Sequence, residues 1–147
     1  MNAGREIRVA AAVVWRDDRI LLTQRPPGGP LGLLWEFPGG KLEPGETVAV
    51  ALAREIREEL GVAATPGEAV ATVRHHYAHG LDVEVHFVRC TLAPGELTPG
   101  AGVHALRWVR PAEVDLNEVL EADREFMARL ATPGPIPRRG RTVTEEG

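Results

Sequence analysis

The chain has one cysteine, no long apolar run and no excess of basic residues, and each shortage excludes a class of protein. The single cysteine, Cys90, can form no internal disulfide, and its place in an alternating apolar run indicates a small core or strand residue. This cysteine usage suits a reducing compartment, and the opening residues do not resemble a secretory signal, so we expect a cytoplasmic protein. The longest uninterrupted apolar stretch, Val9 to Trp15, is far too short to span a membrane.

The charge pattern excludes a second class, the proteins that bind nucleic-acid polymers. The formal net charge is −4, and no basic patch is interleaved with aromatic residues. The 147 residues, of which 44% are apolar and 26% charged, fit one globular domain. We expect that domain to occupy residues 1–131, and residues 132–147, which have little to bury, to form a flexible tail.

Strand and helix patterns alternate along the chain, which predicts an α/β fold with a mixed sheet. Thr47 to Leu60 is the clearest helix, because its apolar residues recur at every fourth position, with Thr47 as the N-cap and Gly61 as a left-handed C-terminal cap. Residues 26–32 form a loop rich in proline and glycine. The other predicted elements are strands at Val9 to Trp15, Ile20 to Arg25, Ala69 to Tyr77, Leu81 to Leu92 and Leu106 to Val109, and a helix from Leu116 to Leu130.

Three carboxylates cluster on the first helix. At about 100° per residue, Glu55, Glu58 and Glu59 fall within one arc, where like charges repel and weaken a helix. A solvated acidic face is the ordinary explanation, but a glycine-rich loop beginning at Gly39 leads directly into this helix. Clustered carboxylates at such a junction suit hard divalent cations, and Mg²⁺ there would bridge them to substrate phosphates and lower the pKa of a bound water.

The segment from Gly40 to Val62 resembles the Nudix box, G-x5-E-x7-R-E-U-x-E-E-x-G-U with U a bulky aliphatic residue, at every defined position. The matching residues are Gly40, Glu46, Arg54, Glu55, Ile56, Glu58, Glu59, Gly61 and Val62. The flanking runs LLTQRP and WEFPGGKLEPGE resemble the MutT-type branch of that family. The resemblance implies the Nudix fold, a mixed β-sheet sandwiched between α-helices. It also implies metal-dependent attack of water on a nucleoside triphosphate, giving the nucleoside monophosphate and pyrophosphate.

The same resemblance implies a role for individual residues of the box. Glu58 and Glu59 would be metal ligands, Glu55 a ligand or the general base, and the backbone carbonyl of Gly39 a further ligand. The metal would be Mg²⁺, with Mn²⁺ able to substitute. Arg54 would hold the carboxylates in place through charged hydrogen bonds.

Two cations beside the box, Arg25 and Lys41, would face the phosphates of a small-molecule nucleotide. A surface arginine at the end of a strand is the other interpretation of Arg25. MutT-type proteins usually carry one more glutamate just before the strand that begins at Leu106, and this chain does not. The ligand is therefore missing, is replaced by water, or is supplied in part by His104 or Glu96.

Three residues are candidates for binding the base. Phe37 is a stacking partner or a core residue beside Trp35, and Tyr77 would lie at the end of a strand on the substrate side. Asp123 occupies the segment where the family places a base-reading Asn or Asp, with an exposed helix aspartate as the alternative. An ionised aspartate only accepts hydrogen bonds, which favours an exocyclic amino group as on cytosine, whereas a protonated one also donates and would read oxidised guanine. We hypothesise that cytosine triphosphates are better substrates than 8-oxo-dGTP.

Other functions stay open at this stage. A dinucleoside polyphosphate or ADP-sugar hydrolase is the enzymatic alternative, and a catalytically silent nucleotide sensor is the alternative from another class. A zinc site at the histidines near Tyr77 is disfavoured, because His75 and His76 are adjacent and point to opposite faces of a strand. The chain is expected to act as a monomer or a homodimer, without a membrane partner.

Overall fold

The computed structural model describes residues 5–132, and this part of the chain contains eight strands and two α-helices. The strands are β1 (Arg5–Val13), β2 (Trp15–Arg16), β3 (Arg19–Gln24), β4 (Trp35–Glu36), β5 (Gly39–Lys41), β6 (Ala64–His76), β7 (Leu81–Leu92) and β8 (Ala105–Val109). The helices are α1 (Val48–Leu60) and α2 (Arg124–Ala131), and single 3-10 turns stand at Pro111–Glu113, Leu116–Glu118 and Glu121–Asp123.

The strands form two four-stranded sheets. The larger sheet has the order β5-β1-β7-β6, in which β1 and β7 are parallel and the other pairs are antiparallel, so the predicted mixed sheet is confirmed. In the smaller sheet, β3 pairs antiparallel with β2, β4 and β8. β5 therefore places the glycine-rich loop at one edge of the larger sheet, next to β1.

The two helices cover opposite faces of the larger sheet. Successive strand residues point to opposite faces, and along β1 Ala10 and Ala12 belong to the core under α1, while Ala11 and Val13 belong to the core under α2. The helices contribute Ala51, Leu52, Ile56 and Leu60 to the first core and Phe126 and Met127 to the second. The predicted sheet between helices is confirmed.

The ends of α1 follow from local chemistry. Thr47 accepts a hydrogen bond from the Val50 N–H through its hydroxyl, at 3.2 Å, and so satisfies a donor at the start of the helix. Gly61 stops the helix with a φ of 76°, and its N–H donates to the Arg57 carbonyl oxygen. Both predicted caps are confirmed, and they hold the carboxylate-bearing turns of α1 in a fixed place.

The predicted second helix, Leu116 to Leu130, is wrong in its first half. Val119 forms a parallel bridge with Trp35, and the Leu120 N–H donates to the Trp35 carbonyl oxygen at 2.8 Å. This pairing keeps Val119 in an extended conformation and divides the segment into two 3-10 turns followed by the short α2. A tertiary contact has overridden the helical periodicity of the sequence.

The strand bounds also differ from prediction in places. β7 has the predicted bounds, whereas β1 begins and ends earlier and β6 begins five residues before the predicted Ala69. Register shifts between Pro66 and Ala71 let β6 pair with β7 through a proline, because a bulge leaves the extra residues unpaired. Cys90 is buried in β7, as predicted.

The predicted tail, residues 132–147, lies outside the described residues except for Thr132. Among the helices of residues 5–132, none is long and apolar enough to cross a membrane.

Candidate active site

Two glycines allow β5 to lie against both β1 and α1. Gly39 has a φ of 146°, and a Cβ there would overlap the Ala10 carbonyl oxygen. A Cβ on Gly40 would overlap the carboxylate of Glu55, 2.6 Å from its Oε2 atom. Only glycine fits at position 39, whereas an alanine at position 40 would displace the Glu55 carboxylate. The loop can therefore bring its backbone within reach of the α1 carboxylates.

Arg54 holds the carboxylates of the loop and of α1 together. Its Nε and Nη2 atoms donate to the two carboxylate oxygens of Glu46 at 2.7 and 2.8 Å, and Nη1 donates to Glu55 Oε2 at 2.8 Å. The Arg54 hydrogen bonds lower the pKa of Glu46 to about 2, and the Glu43 N–H contributes. Glu58 Oε1 lies 3.8 Å from the same guanidinium. A fork of donors matching two carboxylates fits the structural role expected of Arg54.

Glu59 points inward, while Glu58 stays in solvent. The Glu59 Oε1 atom accepts a hydrogen bond from the Gly39 N–H at 3.1 Å, and burial raises the pKa of Glu59 to about 8, with the negative charges of Glu55 and Glu36 adding to the effect. The Glu58 side chain is 56% exposed. Adjacent carboxylates thus occupy different environments, one desolvated against the loop and one hydrated.

The donor chemistry at this junction fits a hard divalent cation. Within residues 5–132, no three His, Cys, Asp or Glu side chains converge into a complete metal centre. Glu55 is instead engaged by Arg54 and Glu59 by Gly39. The fit rests on three carboxylates within two turns of one helix, one of them buried among negative charges that a cation would offset.

The loop between β7 and β8 binds the end of α1 through its backbone. The N–H groups of Thr98 and Gly100 donate to the carbonyl oxygens of Leu60 and Glu59, at 3.1 and 2.9 Å. These bonds satisfy carbonyls that a helix end leaves unpaired. The two candidate substitutes, Glu96 and His104, are both exposed.

The residues predicted to bind the base meet on the α2 side of the sheet. Phe37 is 4% exposed and packs edge-on against Phe87, with ring centroids 5.3 Å apart, so the core-packing alternative describes its ring. The Phe37 N–H donates to Asp123 Oδ2 at 3.1 Å. Asp123 is 5% exposed, so the alternative of an exposed helix aspartate is wrong. Burial raises the pKa of Asp123 to about 8, with the nearby charge of Glu36 contributing.

Comparison with known proteins decides the family. A model of the NUDIX domain matches residues 9–129. The chain belongs to the Nudix family. It is 42% identical over 133 residues to the CTP pyrophosphohydrolase of Escherichia coli, covering 86% of this chain and 96% of that protein. It is 35% identical over 99 residues to the 8-oxo-dGTP diphosphatase of Proteus vulgaris, covering 67% of this chain and 88% of that protein.

The fold agrees with solved members of the family. The MutT Nudix hydrolase of Burkholderia pseudomallei superposes with a TM-score of 0.75 at 28% identity, over 86% of this chain and 98% of that chain. The protein is therefore a MutT-like Nudix hydrolase, an enzyme of nucleotide phosphoanhydride bonds.

One residue of this Nudix site, Glu36, was not predicted from the sequence. It accepts hydrogen bonds from Arg25 at 3.4 Å, and its charge contributes to the raised pKa of both Glu59 and Asp123. Burial raises the pKa of Glu36 itself, while Arg25 opposes the shift. Glu36 therefore lies close enough to both Glu59 and Asp123 for its charge to act on each of them. The sequence feature that could have identified Glu36 is its place between two aromatic residues, Trp35 and Phe37, whose rings are buried.

The two cations expected to face phosphates lie at the edges of the site. Arg25 is paired with Glu36, which accounts for its position without a phosphate. Lys41 is exposed on β5, and its carbonyl oxygen accepts a hydrogen bond from Arg54 Nη2 at 3.2 Å. Lys41 therefore belongs to the same strand, β5, as Gly39 and Gly40.

Tyr77 lies near the other residues that the sequence predicts to bind the base. Its ring is half-buried, with the His75 ring 4.5 Å away edge-on and the His79 ring stacked at 5.5 Å. Burial raises the pKa of the Tyr77 hydroxyl, and the backbone of Ala122, next to Asp123, opposes the shift. The structure thus brings Tyr77, Phe37 and Asp123 together, on the face of the sheet opposite to α1.

Proposed function

We propose that this Nudix hydrolase converts a nucleoside triphosphate into the nucleoside monophosphate and pyrophosphate, using Mg²⁺ or, in its place, Mn²⁺. The observation that carries the proposal is the set of α1 carboxylates organised by Arg54 and Gly39 at the edge of the sheet. The relatives named a CTP pyrophosphohydrolase and an 8-oxo-dGTP diphosphatase support the triphosphate class.

The chemistry is substitution at phosphorus by water. Bound Mg²⁺ would withdraw charge from the phosphates and lower the pKa of the attacking water. Arg54 fixes Glu55 through Oε2 and leaves the other oxygen, Oε1, to accept the proton of that water. Lys41 supplies a positive charge for the phosphate oxygens. The water oxygen bonds to phosphorus while the bridging P–O bond breaks, and pyrophosphate leaves.

For the base, we propose cytosine nucleotides as the preferred substrates, with Asp123 as the residue that reads them. The Oδ2 atom of Asp123 holds the Phe37 N–H, so the carboxyl group is fixed in direction. With its pKa raised to about 8, this carboxyl is mostly protonated at neutral pH and can donate as well as accept. An ionised Asp123 would pair only with the amino group of cytosine, whereas the protonated carboxyl matches both that amino donor and the ring nitrogen acceptor beside it. The 42% identical CTP pyrophosphohydrolase supports this choice.

A second candidate substrate is 8-oxo-dGTP, and the same raised pKa favours it. A protonated carboxyl can donate to the oxygen and accept from the ring N–H of an oxidised guanine. The relative named an 8-oxo-dGTP diphosphatase supports this alternative. The two bases therefore have to be compared directly.

The deciding experiment incubates the purified protein with Mg²⁺ and a substrate panel, and separates the products by chromatography. The panel contains CTP, dCTP, 5-methyl-dCTP, 8-oxo-dGTP, ADP-ribose and diadenosine tetraphosphate. We expect monophosphate and pyrophosphate from the cytosine triphosphates. A preference for 8-oxo-dGTP of more than about tenfold in kcat/KM, equal to roughly 1.4 kcal/mol, would reject the cytosine hypothesis.

Glu58→Gln is the matched control, because it removes one charge from an exposed side chain and keeps its shape. We expect this variant to lose most of the metal-dependent turnover. Undiminished turnover at saturating Mg²⁺ would contradict the role of Glu58. Turnover of ADP-ribose or diadenosine tetraphosphate alone would favour the alternative hydrolase class, and tight nucleotide binding without turnover would favour a silent sensor.

A further inference from the structure

The 3-10 turn Glu121–Asp123, which carries the proposed base reader, is attached to β6 and the residues that follow it. The Glu121 Oε2 atom lies 3.5 Å from His75 Nε2. The Tyr77 side chain packs against the core cluster that contains the next residue, Ala122, and its hydroxyl lies beside the Ala122 backbone. Two consecutive residues of the turn are thus held from the same side of the molecule, directly beside Asp123.

His75 and Tyr77 act on the turn as one unit. They are two residues apart, so they point to the same face of the sheet, and their rings meet edge-on at 4.5 Å. His79 stacks on the other side of Tyr77, with an interplanar angle of 8°. The three rings thus form a row beside the turn.

The contact between His75 and Glu121 is incomplete. The His75 Nε2 atom is buried and makes no hydrogen bond within the described residues, although the Glu121 carboxylate is 3.5 Å away. The Glu121 side chain is 53% exposed and can shift by the few tenths of an ångström that a charge-assisted hydrogen bond needs. A buried ring nitrogen without a partner is unfavourable, so a closer approach of Glu121 to His75 would stabilise the turn in this position.

We propose that His75 and Tyr77 are positioning residues for the base: they hold the Glu121–Asp123 turn in place, and with it the carboxyl group of Asp123. The inference rests on the proposed function, in which Asp123 reads the base. Asp123 is held from its other side by the Phe37 N–H, so its carboxyl has a correct direction only while the turn stays seated against β6.

This arrangement separates base binding from catalysis. The α1 carboxylates lie on the face of the sheet opposite to the turn. Loosening the turn should therefore weaken the binding of the correct base and leave the chemical step nearly unchanged. A merely structural role of His75 would instead affect all triphosphates alike.

The test compares His75→Phe, Tyr77→Phe and the control His76→Ala. His75→Phe keeps an aromatic ring against Tyr77 and removes the Nε2 atom, whereas Tyr77→Phe removes only the hydroxyl. His76 serves as the control because it points to the opposite face of the sheet and pairs with Asp82. We expect either phenylalanine variant to raise KM for the preferred triphosphate about tenfold, because each removes a polar contact with the turn, with kcat within about twofold. His75→Gln, which retains a donor towards Glu121, should recover most of the loss.

A second readout does not depend on turnover. The Phe37 N–H is bonded to Asp123, so its rate of hydrogen exchange reports whether the turn is seated. We expect this rate to rise about fivefold or more in His75→Phe and to stay at the wild-type value in His76→Ala.

The outcomes separate the two proposals. The positioning role would be overturned if His75→Phe left the Phe37 exchange rate or the KM unchanged, or raised KM equally for every triphosphate. The same effects in His76→Ala would also overturn it. A wild-type protein that hydrolyses no triphosphate would overturn the proposed function, and the exchange rates would still decide whether His75 holds the turn.

Discussion

Replacing Asp123 by asparagine tests the most unusual electrostatic feature of the structure, a carboxyl group buried beside a second carboxylate. Asparagine has nearly the same shape, and its side-chain oxygen can still accept the Phe37 N–H. The substitution therefore keeps the hydrogen bond and removes only the group that ionises. Its effect on stability should depend on pH in a direction and size that the structure sets.

Burial raises the pKa of Asp123 from 3.8 to about 8, and the negative charge of Glu36 adds to the shift. Between these two values the folded protein retains a proton that the unfolded chain has released, so the stability of the wild-type protein falls as pH rises. Below pH 3.8 the buried carboxyl costs the folded protein no stability through ionisation, and above about pH 8 the loss of stability has reached its full size. Within the window each pH unit costs at most about 1.4 kcal/mol, so from pH 5 to pH 7 the cost grows by up to about 2.7 kcal/mol.

The measurement is urea unfolding of the wild-type protein and Asp123→Asn at pH 5, 6 and 7 in metal-free buffer. We expect the free energy of unfolding of the variant, relative to wild type, to rise by about 2 to 3 kcal/mol across this range. Glu118→Gln, a change at an exposed carboxylate of the same segment, is the control and should show no comparable trend. A difference between wild type and Asp123→Asn that stays constant to within about 0.5 kcal/mol would refute the inference that Asp123 is protonated in the folded state.

Three further predictions concern the box and the core. Arg54→Lys loses the fork that joins Glu46 to Glu55, so we expect activity at limiting Mg²⁺ to fall by about 10- to 100-fold, and a wild-type Mg²⁺ titration curve would contradict this. Gly40→Ala places a methyl group in the position of the Glu55 carboxylate, so it should remove most of the turnover while thermal unfolding still shows a folded protein. Burial raises the pKa of the Cys90 thiol to about 11, so a thiol reagent at pH 8 should label the protein only on unfolding, and rapid labelling of the native protein would show the thiol to be accessible.

The sequence alone determined the carboxylate-bearing helix α1 and both of its ends. Thr47, the apolar residues at every fourth position and Gly61 are local signals, because capping and burial of a helix face depend on residues close together in the chain. The spacing of Glu55 and Glu59 then follows from helix geometry. The Nudix box added the family, which the match over residues 9–129 confirmed.

The tertiary structure decided what depends on pairs of residues distant in the chain. The bond from the Leu120 N–H to Trp35 interrupts a helix that periodicity predicted, and no local signal announces a partner 85 residues away. Burial likewise gives Glu36 and Asp123 their raised pKa values, since desolvation and nearby charge depend on what the rest of the chain packs against them. Sequence spacing thus fixes which groups a helix can present, whereas only packing determines which of them lose water and what charge they carry.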